Sequence, residues 1–388
     1  PQHRTFQLWI NHQRELRNEK SRSSEIVSLH VSRLNCDSLY NFKTPVFIVS
    51  MGFLRVKSTP AAALLSFTAI ISLVYALNFM FFADCYVTGG ADCFTLLSNG
   101  TSEGMNSWGN GGPETAFNGV LMFGIFISTA IILNEGAKGK WSTMIPVMMG
   151  LATMTAVLWL YWGNDLDSAE TPKYVTPILL VAYTAAYFLL KGEDEVDDGL
   201  SDFSPGQNIK DTPALISLSF VALMGGYYCF RALLNPESVS DLVEPGDLAH
   251  GLGAPSSVTV AVGGSLFLVY FLWTILTVLD GASGKWAIIH PGIFALLAVT
   301  IQNYVGYASA GDEARRAITD ATIQDAVAGP LALLLVLFSY YRLRPEGIED
   351  GMTNAGEEWP NKAEDFNVMV ISFGLVLGLL FTLNAIMG

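Results

Sequence analysis

About nine stretches of this chain run for roughly 17 to 25 residues with almost no charge, and that pattern constrains the fold more than any motif does. A segment of that length crosses the hydrocarbon layer as an α-helix, and a helix satisfies its own backbone where no water is present. The spans fall near 60–82, 117–134, 143–163, 174–190, 213–234, 257–279, 286–308, 326–343 and 366–387. Composition agrees, since 51% of residues are hydrophobic and 14% charged, against about 25% charged in soluble domains. The expected fold is all-α, a polytopic membrane bundle of about nine transmembrane helices.

Residues 1–50 differ in kind from the rest. They hold 7 Lys+Arg against 4 Asp+Glu, while the remainder holds 14 against 31. This basic leader is expected to be untranslated or targeting sequence and is set apart from the fold, although its acids depart from an acid-poor organellar presequence. Val56 stands where an N-myristoylation signal starting at Met51-Gly52 prefers Ser or Thr.

Internal repetition is the second constraint. Gly136-Ala137-Lys138-Gly139-Lys140-Trp141 returns as Gly281-Ala282-Ser283-Gly284-Lys285-Trp286 at an offset of 145, and Pro146 and Thr155 match Pro291 and Thr300. Upstream, Gly119, Phe126, Thr129 and Glu135 match Gly264, Phe271, Thr274 and Asp280. A second offset, 153, relates Ser66-Phe67 to Ser219-Phe220 and to Ser372-Phe373, and Pro177 to Pro330, each proline opening a fourth helix. The pattern reads as two parallel four-helix repeats, 51–200 and 201–352, followed by a ninth helix in 353–388 that repeats the first.

Lysine and arginine counts orient the bundle. Ten fall on the side of the repeated turn and three on the other, so the turn side is expected inside and the 83–116 loop outside. That loop carries Cys85 and Cys93, a candidate disulfide, and Asn99 of the sequon Asn99-Gly100-Thr101, a candidate glycosylation site. The compartment stays open among plasma, secretory and plastid membranes. The acidic run Glu193-Asp194-Glu195-Val196-Asp197-Asp198 reads as a solvated linker without calcium-loop spacing.

Ionisable groups inside the spans are few, and each is weighed as a functional marker. His290, one turn into the seventh span, is either an imidazole bonded to a free carbonyl or a proton relay or ligand; its repeat equivalent is Ile145. Arg231 is expected to snorkel to headgroups. Gln302, Asn303 and Asn118 suit interhelical hydrogen bonds or the lining of a solute path, with Val157 and Leu158 as counterparts of the first two. The Gly-Ala-x-Gly-Lys-Trp turn lacks the Ser or Thr of a phosphate loop and reads as a tight connection, its Lys marking the basic side and its Trp anchored at headgroup level.

No intramembrane aspartate pair, His-x-x-x-His, Cys-x-x-Cys or serine elbow occurs, which argues against an enzyme. No residue pattern specifies a cofactor or a metal. The acidic body excludes nucleic acid as a partner, leaving the lipid bilayer, with homo-oligomers or membrane-complex partners open. The leading expectation is a facilitator or channel for a small solute, its path between the repeats. The alternatives are a scaffold or accessory subunit and a membrane-interface enzyme using His290.

Overall fold

The computed structural model describes residues 55–81, 113–160, 170–206, 208–236, 257–309 and 323–352, all within one unit that spans Ser50–Gly388. Eight α-helices lie in these segments: α1 (Thr59–Phe81), α2 (Pro113–Glu135), α3 (Trp141–Leu160), α4 (Glu170–Leu190), α5 (Thr212–Leu234), α6 (Ser257–Asp280), α7 (Trp286–Ser309) and α8 (Ile323–Leu343). There is no strand among the described residues. Seven helices are long and apolar enough to cross a membrane, and α7 adds an apolar stretch over Trp286–Ile301. The leader and the expected ninth span lie outside the described residues.

The helices α4 and α8 begin earlier than expected, at Glu170 and Ile323, so Pro177 and Pro330 sit inside them. Each proline removes one ladder donor, and the helix continues through it on both sides.

Helix α1 packs on α2 and α4, and α5 packs on α6 and α8. Helix α3 lies against α4 and broadly against α6, while α7 lies against α8 and α2; α2 and α6 also touch. The first four helices and the second four therefore interlock through α2, α3, α6 and α7. Outward faces are apolar, with Ile178, Val181 and Phe188 on α4, Leu223 and Phe230 on α5, and Leu334 and Phe338 on α8. Such faces suit hydrocarbon, since lipid tails solvate them as a protein core would.

Glycines set the close approaches. A Cβ at Gly119 would lie 2.8 Å from the Ala76 carbonyl of α1, and one at Gly264 would lie 2.9 Å from Leu233 of α5. Between the two sets of four, a Cβ at Gly263 would come within 2.7 Å of Asn118 Oδ1, one at Gly124 would fall on the Tyr270 hydroxyl, and one at Gly150 on Val269. Absence of a side chain is what lets these backbones meet.

Helix starts are held by carboxylates from distant sequence. Asp194 accepts from the backbone N–H groups of Lys57 (2.8 Å) and Ser58 (2.9 Å) ahead of α1. Glu346 accepts from those of Lys210 (3.0 Å) and Asp211 (2.6 Å) ahead of α5. Asp194 is buried. The acidic run is thus more than a solvated linker: one member caps a helix, because the first N–H groups of a helix lack partners of their own.

Candidate functional site

The repeated turn is built twice in the same way. Gly136 and Gly139 have φ of 88° and 66°, and Gly281 and Gly284 have 97° and 70°, a region that L side chains disfavour. Gly139 N–H donates to the Glu195 carbonyl (3.0 Å) and Trp141 N–H to Val196 (2.9 Å). Gly284 N–H donates to Gly347 (2.9 Å) and Trp286 N–H to Ile348 (3.0 Å). These bonds fix where α3 and α7 begin and turn Lys140 and Lys285 toward each other's tryptophan.

Lys140 Nζ lies 4.8 Å over the Trp286 ring, and Lys285 Nζ lies 5.6 Å over the Trp141 ring. The lysines are 9% and 7% exposed and both tryptophans 4%, so this crossing is interior to the fold. Each aromatic face stabilises the other turn's cation, an interaction that strengthens when water is excluded.

The two ammoniums are held unequally. Lys285 forms an ion pair with Asp280 and lies 3.5 Å from Ser142 Oγ. Lys140 has no hydrogen-bond acceptor and no carboxylate within ion-pair distance among the described residues. Burial lowers the Lys140 ammonium to about 8, opposed by the charge of Glu135 and reinforced by that of Lys285. Lys138, in the same turn, points outward to Glu195 (2.7 Å) and Asp198 (3.6 Å).

A second polar group surrounds His290, which is buried near the start of α7. Its Nε2 lies 3.0 Å from Tyr340 Oη; that phenol donates to Glu349 Oε1 (2.9 Å), which also accepts from Arg344 Nε (2.8 Å). The imidazole therefore faces a phenol of α8 through Nε2. Trp286 meets it edge-on, with ring centroids 5.8 Å apart.

Asn118, buried on α2, donates to the Thr259 carbonyl of α6 (3.0 Å), an interhelical bond. Tyr270 donates to the Leu121 carbonyl (2.8 Å), and Trp273 Nε1 to the Thr143 carbonyl (3.0 Å). Arg231 lies beside Tyr227, Nη1 to Oη 3.3 Å. The backbone of Gln302 and Asn303 is helical in α7, and their side chains lie outside the described ones. Their counterparts Val157 and Leu158 are buried, Leu158 within the larger hydrophobic core. Cys85, Cys93 and Asn99 lie outside the described residues; Cys229 is a free, buried thiol.

The His290, Tyr340, Glu349 and Arg344 group escaped sequence reasoning because its members are up to 59 residues apart, and only His290 stood out as a charge-capable residue in an apolar run. The Lys140 and Lys285 pair carried a signal in the repeated Gly-Lys-Trp itself.

No known protein family, curated protein or solved structure matches the chain. Its apolar helices fit a multi-pass helical membrane protein in contact with lipid.

Proposed function

We propose that the chain is a non-transporting structural subunit of a membrane assembly, built from two parallel copies of a four-helix unit with the 353–388 segment as a further copy of α1. The observation that carries this reading is the direct packing of the first four helices on the second four. Asn118, Tyr270 and Trp273 direct their donors to carbonyls across that contact, and glycines bring the backbones together. Direct bonds of this kind use the polar groups that would otherwise line an aqueous route.

Duplication is supported by bonds that recur at matching positions. The paired turn hydrogen bonds, the paired glycines of positive φ, and Asp194 and Glu346 at the starts of α1 and α5 are the strongest instances. The lysine count supports placing the repeated turns on the inner side.

The runner-up is a facilitator whose path follows α7 past Gln302 and Asn303, supported by the tendency of duplicated membrane units to enclose solute sites. Reconstitution separates the two. The purified chain in liposomes is assayed for uptake of a panel of ions and neutral solutes beside Gln302→Leu/Asn303→Leu. Flux no greater than that of protein-free vesicles supports the structural subunit. Uptake that the double variant abolishes overturns it in favour of the facilitator.

A further inference from the structure

The geometry points to a binding site for a phosphate group between Lys140 and Lys285, at the crossing of the two Gly-Ala-x-Gly-Lys-Trp turns. Three independent features converge there. Lys140 is nine-tenths buried with no acceptor among the described residues, and it lies over Trp286, the first residue of α7. Lys285 lies over Trp141, the first residue of α3, so two helix N-termini meet two ammoniums in one place. Ser142, also buried, adds a hydroxyl beside Lys285.

The charge balance favours an anion. Asp280 compensates Lys285 by direct contact, whereas Glu135 acts on Lys140 only at a distance. Helix N-termini each contribute roughly half a positive charge, which favours an anion beside them even though the Trp141 and Trp286 N–H groups are already bonded to Val196 and Ile348. An ammonium nine-tenths buried without an acceptor is costly, and the Trp286 ring offsets only part of that cost. A phosphate would give Lys140 the acceptors it lacks and accept from Ser142 as well.

A phosphate group reaches such a place from two sources, free phosphate or the headgroup of an anionic lipid, and basic pockets between helices at headgroup depth take the latter. The test uses the full chain in neutral detergent. Inorganic phosphate is titrated against chloride at constant ionic strength, and in parallel phosphatidylglycerol is titrated against phosphatidylcholine in mixed micelles. The thermal unfolding midpoint is followed in both.

A saturable rise with both probes is expected if the site opens to solution, and with phosphatidylglycerol alone if it takes lipid. The rise should vanish in Lys140→Met and persist in Lys138→Met, which removes an exposed lysine of the same turn. Ser142→Ala, a smaller change, should raise the half-saturating concentration about fivefold, the loss of one hydrogen bond. No saturable rise with either probe in the wild type overturns the site. So does a half-saturation left unchanged by Ser142→Ala and by any folded Lys140→Met.

Discussion

Lys140 of one turn lies 4.8 Å over the ring of Trp286 in the other, and this contact ties the first four helices to the second four. It also gives the fold a pH dependence with a definite sign. The Lys140 ammonium titrates at about 8 in the folded chain and near 10.5 when unfolded. Between those values the unfolded state binds more protons, so stability rises as pH rises through the window. Below pH 8 both states are protonated and the burial penalty is at its full size. The gain from pH 8 to 10.5 is at most about 3.4 kcal/mol at 1.36 kcal/mol per unit. Unfolding midpoints of the wild type and Lys140→Met should converge across this window, with the variant the more stable near pH 7 in the absence of a bound anion. Parallel pH profiles for the two proteins would refute the assignment.

Gly124 faces Tyr270 so closely that a Cβ would clash with the phenol oxygen. Gly124→Ala should therefore displace Tyr270 from the Leu121 carbonyl and lower stability by about 1–3 kcal/mol, the usual cost of overpacking plus a lost bond. Tyr270→Phe removes the obstructing atom, so the double variant should be less destabilised than the sum of the single ones. A double-mutant cycle by thermal or denaturant unfolding in detergent measures this, and strict additivity would show that the two residues do not meet.

The helical spans and the turns between them were legible because apolar length and glycine spacing report local constraints that hold in any context. The starts of α4 and α8 were read late because Pro177 and Pro330 look like first-turn prolines, yet tertiary packing carries the helix past them. Trp141 and Trp286 are each buried against the other turn's lysine, a contact between distant segments that local sequence does not reveal. A Trp beside a span is expected at the headgroup layer, which says nothing of the segment it packs against. Asp194 gave no such signal: its partners are 136 and 137 residues away, and nothing in an acidic run distinguishes the one carboxylate that turns inward.

Asp194 and Glu346 make the same prediction at two places. Asp194→Ala leaves the N–H groups of Lys57 and Ser58 without their acceptor, and should cost about 1–2 kcal/mol, as loss of an N-terminal cap does. Amide hydrogen exchange should quicken at the start of α1 and stay unchanged at the start of α5. Glu346→Ala should give the reverse pattern. Equal exchange at both helix starts in either variant would contradict the assignment.

Tyr340 joins His290 to Glu349 through its hydroxyl, which lies 3.0 Å from the imidazole Nε2 and donates to the carboxylate. Tyr340→Phe keeps the ring packed but removes the hydroxyl, so a buried imidazole nitrogen and a carboxylate each lose a partner. The expected loss is about 1–3 kcal/mol, set by the cost of leaving a buried polar atom unmade. If that is the cause, His290→Leu should relieve part of the loss in the Tyr340→Phe background, because the double variant no longer buries the imidazole. Unfolding midpoints of the two single variants and the double decide it. A double variant at least as damaged as the sum would show that His290 is held by something other than Tyr340, and would return the imidazole to consideration as a group with chemistry of its own.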